Sequence, residues 1–336
     1  MIQVVAVAAV VVVGVISRIN TTKNKVIKLA LCQYLVQLLL NRAITFMRSI
    51  PSRVFMKYLF SALVLFISFT TVADSAQKIK PFEIPRSHVI EIDDPDSNRV
   101  YPLFIKLPRS YHKQKEKTYP VIYLTDAWYS FQIVSGATRF PMNSGKMQEA
   151  ILVAISYEKD SKGPSSRIRD YTHIEDKSWK LATGQANAHM TFIEKSVFSF
   201  IEKNYRVNAS RTYVGNSLGG LFGAYILMTK PQMFDDYVLG SPSVWFKDND
   251  ILKLNTKLNP NHHRVFIGVG TQETPAFNTS KHDMVLGAKA LAAKLSSELF
   301  PNTEVKFLAI DGAVHETAFP TTATQGLYWL LKTNTN

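Results

Sequence analysis

Residues 211–234 read RTYVGNSLGGLFGAYILMTKPQMF, and the fold turns on how they are read. A short β-branched and aromatic run, Arg211 to Val214, leads into Gly215-Asn216-Ser217-Leu218-Gly219. An apolar run with small residues at Gly219, Gly220, Gly223 and Ala224 follows. That is a strand, a tight turn and a helix. Glycines two before and two after the serine remove the Cβ atoms that would clash in so sharp a turn. Ser217 then stands above the strand end, at a helix N-terminus whose free N–H groups favour developing negative charge. The competing reading is a glycine-rich turn with an inert N-cap serine.

Outward from this turn, short β-rich runs alternate with helical ones. The strands expected are residues 88–93, 100–107, 120–124, 151–156, 212–215, 236–240, 264–269 and 304–310. The later runs are almost wholly apolar, as strands buried on both faces must be. Helices are expected at 186–204, 218–229, 283–299 and 322–332. Phe192, Val197, Phe200 and Ile201 give the first its helical spacing. Such alternation implies right-handed crossovers and a mostly parallel sheet with helices on both faces. The first two strands are joined by DDPDSN, which predicts an antiparallel hairpin at the start. Residues 158–185 read as one long irregular section rich in Lys, Ser, Gly, Arg and Asp. A loop of that length in a compact domain is disordered or functional. Because it carries Arg167, Arg169, Asp170 and Tyr171, we expect part of a substrate-facing rim.

A serine hydroxyl is a poor nucleophile at neutral pH. It needs a base within hydrogen-bond reach, and the base needs an orienting acid. In the α/β-hydrolase arrangement these follow in the order Ser, Asp or Glu, His. Past Ser217 stand His262, His263, His282 and His315. His262 and His263 precede a strand, at its wrong end, and His282 starts a helix. His315, in LAIDGAVHETAF, follows the last strand and precedes the last helix, where a loop can carry imidazole over the serine. Glu273 is the first carboxylate after the strand RVFIGVG and is the expected acid; Asp283 is the alternative, with Asp236 and Asp311 behind it. The oxyanion hole needs two backbone N–H donors. Leu218, next after the serine, supplies one; Ala127 or Trp128, in YPVIYLTDAWYSF, supplies the other.

Composition narrows the partners. The chain has 336 residues, 46% hydrophobic and 19% charged, with a formal charge of +13. Eight Lys/Arg and one acid lie before Ala76, leaving 31 and 25, a net of +6, for the rest. No Lys/Arg-dense block carries interleaved aromatics, so nucleic-acid binding is not expected. The single cysteine, Cys32, falls in the first quarter, which excludes disulfides, thiolate metal sites and a cysteine nucleophile from the remainder. Apolar stretches at 4–16, 26–40 and 59–72 are each shorter than a membrane span. MKYLFSALVLFISFTTVADSAQ, from Met56, has the charge, apolar run and small residues of a secretory signal peptide. We read residues 56–76 as that signal, residues 1–55 as an over-extended gene start or disordered leader, and 77–336 as one catalytic domain. An N-terminal anchor using residues 4–16 is the alternative. The mature protein is then periplasmic or secreted, without a stable membrane span.

Several stretches together resemble the putative-esterase (esterase D-like) family of α/β-hydrolases, nearest the branch that includes siderophore-ester hydrolases. They are YPVIYLTDAWYSF, RIRDYT, FSFIEKNYRVNASRTYVGNSLGGLFGAYILMTKPQMFDDYVLGSPSVWF, IGVGTQET and GAVHETAF, spanning Tyr119 to Phe319. The resemblance implies an α/β-hydrolase fold and hydrolysis of carboxylic esters with no metal or organic cofactor. It makes Ser217 the nucleophile, His315 the base and Glu273 the acid, with Arg169 and Trp245 lining the substrate pocket. Where family members often have LLDG this chain has Leu124-Thr125-Asp126-Ala127, and Asn216 stands where His is common, at a position expected to point away from the reaction. Acyl transfer to an alcohol would use the same residues, and a non-catalytic binding protein would require the set to be broken. The mild basic balance with Arg167 and Arg169 suits an anionic or catecholate ester; short-chain acyl, feruloyl-type and cell-envelope esters stay open.

Overall fold

Eight strands form one sheet in the order β1-β2-β4-β3-β5-β6-β7-β8. They are β1 (Ser87–Asp94), β2 (Arg99–Lys106), β3 (Tyr119–Leu124), β4 (Ile151–Ile155), β5 (Val207–Asn216), β6 (Asp236–Gly240), β7 (His263–Gly270) and β8 (Thr303–Ile310). The computed structural model describes residues 81–333 apart from residue 278. The signal peptide expected at 56–76, the leader at 1–55 and Cys32 lie outside the described residues. Among the described residues no helix is long and apolar enough to cross a membrane.

β1 and β2 form the expected antiparallel hairpin, paired from Ser87–Lys106 to Asp94–Arg99, and β2 pairs antiparallel with β4. From β4 to β8 every neighbouring pair is parallel. Successive side chains of these strands enter opposite cores. Tyr123, Tyr213, Leu239 and Ile267 face one hydrophobic cluster. Ile122, Val214, Val238 and Phe266 face the other. With both faces covered, the central strands β3 and β4 are buried and almost wholly apolar along their length, while the edge strand β8 keeps Glu304 and Lys306.

The helices are α1 (Ala127–Asn143), α2 (Gly163–Tyr171), α3 (Ala186–Phe192), α4 (Ser199–Asn204), α5 (Leu218–Thr229), α6 (Phe246–Lys253), α7 (Met284–Leu295) and α8 (His315–Leu331). A π-helical stretch, Ile193–Phe198, joins α3 to α4, so the expected helix at 186–204 is three pieces of one rod. Phe131 and Val134 of α1 pack with Phe319 and Leu327 of α8 in the second cluster, while Leu221 and Phe222 of α5 pack in the first.

Three helices escaped the sequence reading. α1 contains Gly136, Pro141 and several β-branched or aromatic residues, all weak helix formers. It forms because Ala127, Phe131, Val134 and Thr138 recur at helical spacing on its buried face. α2 lies inside the section expected to be irregular, with Pro164 in its first turn, where the missing N–H costs nothing. α6 is short and is interrupted by left-handed backbone at Lys247, Asp248 and Asn249. The last helix begins at His315, seven residues before the expected Thr322, and runs through Pro320.

Candidate active site

Parallel pairing sets neighbouring strand ends side by side. Leu124 pairs with Val214, so the chain leaves β3 and β5 at adjacent points, and the N-termini of α1 and α5 emerge together. Beyond β6, the ends of β7 and β8 are aligned by the Gly270–Ile310 pair. The segments after β3, β5, β7 and β8 therefore gather along one edge.

Ser217 occupies the turn between β5 and α5 with φ 58° and ψ −118°, a conformation that costs a non-glycine residue about 1–3 kcal/mol. The surroundings hold it there. Its N–H donates to Gly240 O at 2.8 Å, and its carbonyl accepts from Leu221 N and Ser243 N. A Cβ at Gly215 would run into Gly219 O, and one at Gly219 into Thr125 Oγ1. The second contact shows how closely the loop after β3 approaches the start of α5.

Glu273, fully buried after β7, accepts from His315 Nδ1 at 2.6 Å through Oε2. Its other oxygen accepts from Ser241 Oγ at 2.6 Å and Gly270 N at 2.7 Å. Burial works to raise its pKa. The donors from His315, Ser241 and Gly270 outweigh burial and hold the carboxyl below the ordinary carboxylate range. Asp283, the alternative acid, caps α7 instead, accepting from Leu286 N at 2.8 Å. The imidazole of His315 is partly exposed. It lines a cavity of about 350 Å³ together with Ser217, Asp126, Tyr129, Tyr157 and Arg167. Ser217 Oγ lies 3.2 Å from Ser243 Oγ, so in this conformation the hydroxyl rests on a second serine.

The loop after β3 has its own support. Asp126 is left-handed at φ 55° and ψ 54°, and α1 begins at the next residue. Ala127 is therefore helical, and the place where relatives often carry glycine needs none here. The Asp126 N–H donates to Tyr171 Oη at 3.3 Å, and its carbonyl accepts from the N–H groups of Tyr129 and Ser130. Ala127 and Trp128 occupy the first turn, whose N–H groups have no acceptor within the helix. Leu218 holds the same position in α5. The buried Asp126 carboxylate takes two hydrogen bonds from Arg167, Nε at 2.9 Å and Nη2 at 3.2 Å. Burial pushes the Tyr157 phenol up, and its hydrogen bond to Asp126 adds to the shift. Removing one partner of such a pair strands the other in low dielectric at about 3–5 kcal/mol.

Neither residue assigned to the pocket by resemblance lines this cavity among the described residues. Arg169 is held by Glu158, Asp170 and the Tyr101 hydroxyl. Trp245 stacks on His282, with centroids 4.1 Å apart and planes within 3°, and more distantly on Trp179. Asn216, expected to point away, is among the lining residues. Arg167 is the arginine of the rim that reaches the cavity. Among the described residues no group of three or more His, Cys, Asp or Glu side chains is placed to hold a metal ion.

The Esterase family model, described as "Putative esterase", matches residues 96–320. The chain belongs to this esterase family. It is 30% identical over 271 residues to ferri-bacillibactin esterase BesA of Bacillus subtilis, covering 74% of this chain and 91% of that protein. It is 28% identical over 180 residues to the siderophore triacetylfusarinine C esterase of Aspergillus fumigatus, covering 51% of this chain and 61% of that one. A crystal structure of the BES protein from Bacillus cereus superposes with TM-score 0.66 at 25% identity, over 77% of this chain and all of that one. Siderophore hydrolase EstB from Aspergillus nidulans, at 20% identity and TM-score 0.65 over 76% of this chain and 98% of its own, shares the fold. Membership makes the chain a hydrolase with the mostly parallel α/β-hydrolase sheet.

Sequence reading of this esterase passed over Ser241, Ser243, Tyr129, Tyr157 and the Asp126–Arg167 pair. Ser241 and Ser243 were visible in SPSVW, directly after a buried strand, where polar residues must find partners. Nothing local marks Arg167 as the partner of Asp126, 41 residues away.

Proposed function

We propose that the chain hydrolyses carboxylic esters by way of an acyl-enzyme on Ser217, with His315 as base and Glu273 as the group that orients it. The observation that carries this reading is the 2.6 Å hydrogen bond from His315 Nδ1 to buried Glu273, on a cavity that also receives Ser217. A proton fixed on Nδ1 leaves Nε2 with a lone pair. The Ser217 hydroxyl turns from Ser243 toward Nε2, gives up its proton and attacks the ester carbonyl. The oxyanion is received by the N–H of Leu218 and that of Ala127 or Trp128, a contribution of about 3 kcal/mol per donor. His315 returns the proton to the departing alcohol, and water repeats the cycle on the acyl-enzyme.

For substrate we propose siderophore esters, on the 30% identity with the Bacillus subtilis ferri-bacillibactin esterase. The cavity suits an oxygen-rich aromatic acyl group: Tyr129, Tyr157 and Arg167 line it. A periplasmic or secreted location agrees with such a role and rests on the signal-like sequence at 56–76. The test is an ester panel containing a catecholate trilactone, a hydroxamate ester and short acyl esters, run on wild type and Ser217→Ala with fluorophosphonate labelling. Labelling and turnover lost together in Ser217→Ala, with the trilactone ranked first, is the expected result. Turnover surviving in Ser217→Ala removes the mechanism; a preference for short acyl esters removes the substrate.

A further inference from the structure

Lys106 ends β2 opposite Leu152 at the start of β4, so it lies at the sheet edge away from Ser217. α1 connects the two edges. Arg139 is twelve residues beyond Ala127, about 18 Å along the helix.

The Lys106 side chain is only 6% exposed. Its ammonium group has three donors, and the structure gives one of them an acceptor, Ser135 O at 2.9 Å. Arg86 arrives from the chain before β1 in left-handed backbone, φ 63°, anchored by Nε to Leu107 O at 3.1 Å. Arg139 projects from the exposed side of α1. Arg86, Lys106 and Arg139 line one cavity of about 420 Å³, with Phe82 at its rim. Arg109 joins the same three side chains in lining a second, small cavity of about 20 Å³. No carboxylate lines either cavity, and none of the ion pairs among the described residues includes any of these four cations.

Burial, reinforced by the like charges of Arg86 and Arg139, pushes the Lys106 ammonium down to about 8. A buried cation among cations destabilises the fold, and an apolar side chain of similar volume would sit there without that cost. A convergent set of guanidinium groups and an ammonium matches a tetrahedral oxyanion, which guanidinium forks bind in bidentate fashion.

We propose that Arg86, Lys106, Arg109 and Arg139 form a binding site for a phosphate-type oxyanion on the face of the protein opposite the esterase cavity. Free phosphate and the headgroup of an acidic lipid share this chemistry. Phe82, 89% exposed at the rim of the cavity, is placed to meet the acyl region if the source is a lipid. The site stands whether or not Ser217 hydrolyses esters.

The test uses the purified full-length chain at pH 7. Sodium chloride is exchanged for sodium phosphate at constant ionic strength while thermal unfolding is followed. Binding raises Tm with the logarithm of phosphate concentration above Kd, by about 3–5 °C at a tenfold excess over Kd. Arg139→Glu abolishes the rise, and Lys106→Met, expected to fold more stably than wild type, abolishes it too. Ser217→Ala keeps it. Sedimentation with phosphatidylglycerol-containing vesicles and with pure phosphatidylcholine vesicles separates the sources. Phosphate stabilisation without vesicle binding assigns the free anion. Pelleting of wild type but not Arg139→Glu with the acidic vesicles alone assigns the headgroup. A Tm rise that chloride reproduces or that both variants retain, together with vesicle binding unchanged by Arg139→Glu, overturns the site.

Discussion

Replacing Glu273 by glutamine tests the orienting role proposed for its carboxylate, because the structure dictates which way the amide must lie. Gly270 N–H and Ser241 Oγ–H both point at Oε1, at 2.7 and 2.6 Å. The glutamine carbonyl has to take that position, which turns its NH₂ toward His315 Nδ1. Two donors would then face each other across 2.6 Å, so Nδ1 becomes the acceptor and the imidazole proton moves to Nε2. In that tautomer His315 cannot take the Ser217 proton. Wrong-tautomer substitutions of this kind lower kcat by about 10³–10⁴, or about 4–5.5 kcal/mol of barrier. Two of the three donors keep an acceptor in the variant, so its stability falls by only about 1–3 kcal/mol. The assay is steady-state hydrolysis of a soluble aryl ester, with calorimetric Tm as the control for folding. Glu273→Gln folded, with kcat within tenfold of wild type, would refute the orienting role and with it the assignment of His315.

Two further outcomes follow from single contacts. Ser243→Ala frees the Ser217 hydroxyl from its 3.2 Å resting partner, a neutral hydrogen bond of about 0.5–1.5 kcal/mol. The expected change in kcat/KM is a rise of about 2- to 10-fold, and a tenfold fall would show that Ser243 assists the chemistry instead. Lys106, with its folded pKa lowered to about 8 from 10.5, binds fewer protons when folded than when unfolded between those values. Stability in phosphate-free buffer therefore climbs with pH across that window, by up to about 3 kcal/mol, and is unaffected by this group above it. Lys106→Met should flatten the climb in urea titrations at pH 7.5, 9 and 10.5; parallel curves for the two proteins would contradict the burial argument.

What could be read without coordinates was whatever local chemistry or periodicity encodes. Apolar runs gave all eight strands, and the glycines around Ser217 gave a turn that only a strand-to-helix junction needs. The positions of Glu273 and His315 after successive strands then named candidates for partners. α1 was missed because its propensities oppose helix; burial against the sheet and α8 supplies what propensity withholds. α8 starts seven residues before the expected point, and the polar composition of the 158–185 segment concealed α2.

Sequence alone thus determined which residue types stand at strand ends and in what order, since that order is covalent. Tertiary structure alone decided which of them meet. It put Arg167 rather than Arg169 on the cavity, gave Glu273 rather than Asp283 to His315, and gathered at the far edge of the sheet four cations that enter no ion pair among the described residues. Those pairings depend on strand order and on the direction each side chain leaves its backbone. Both are set by packing between segments tens of residues apart, which no local pattern records.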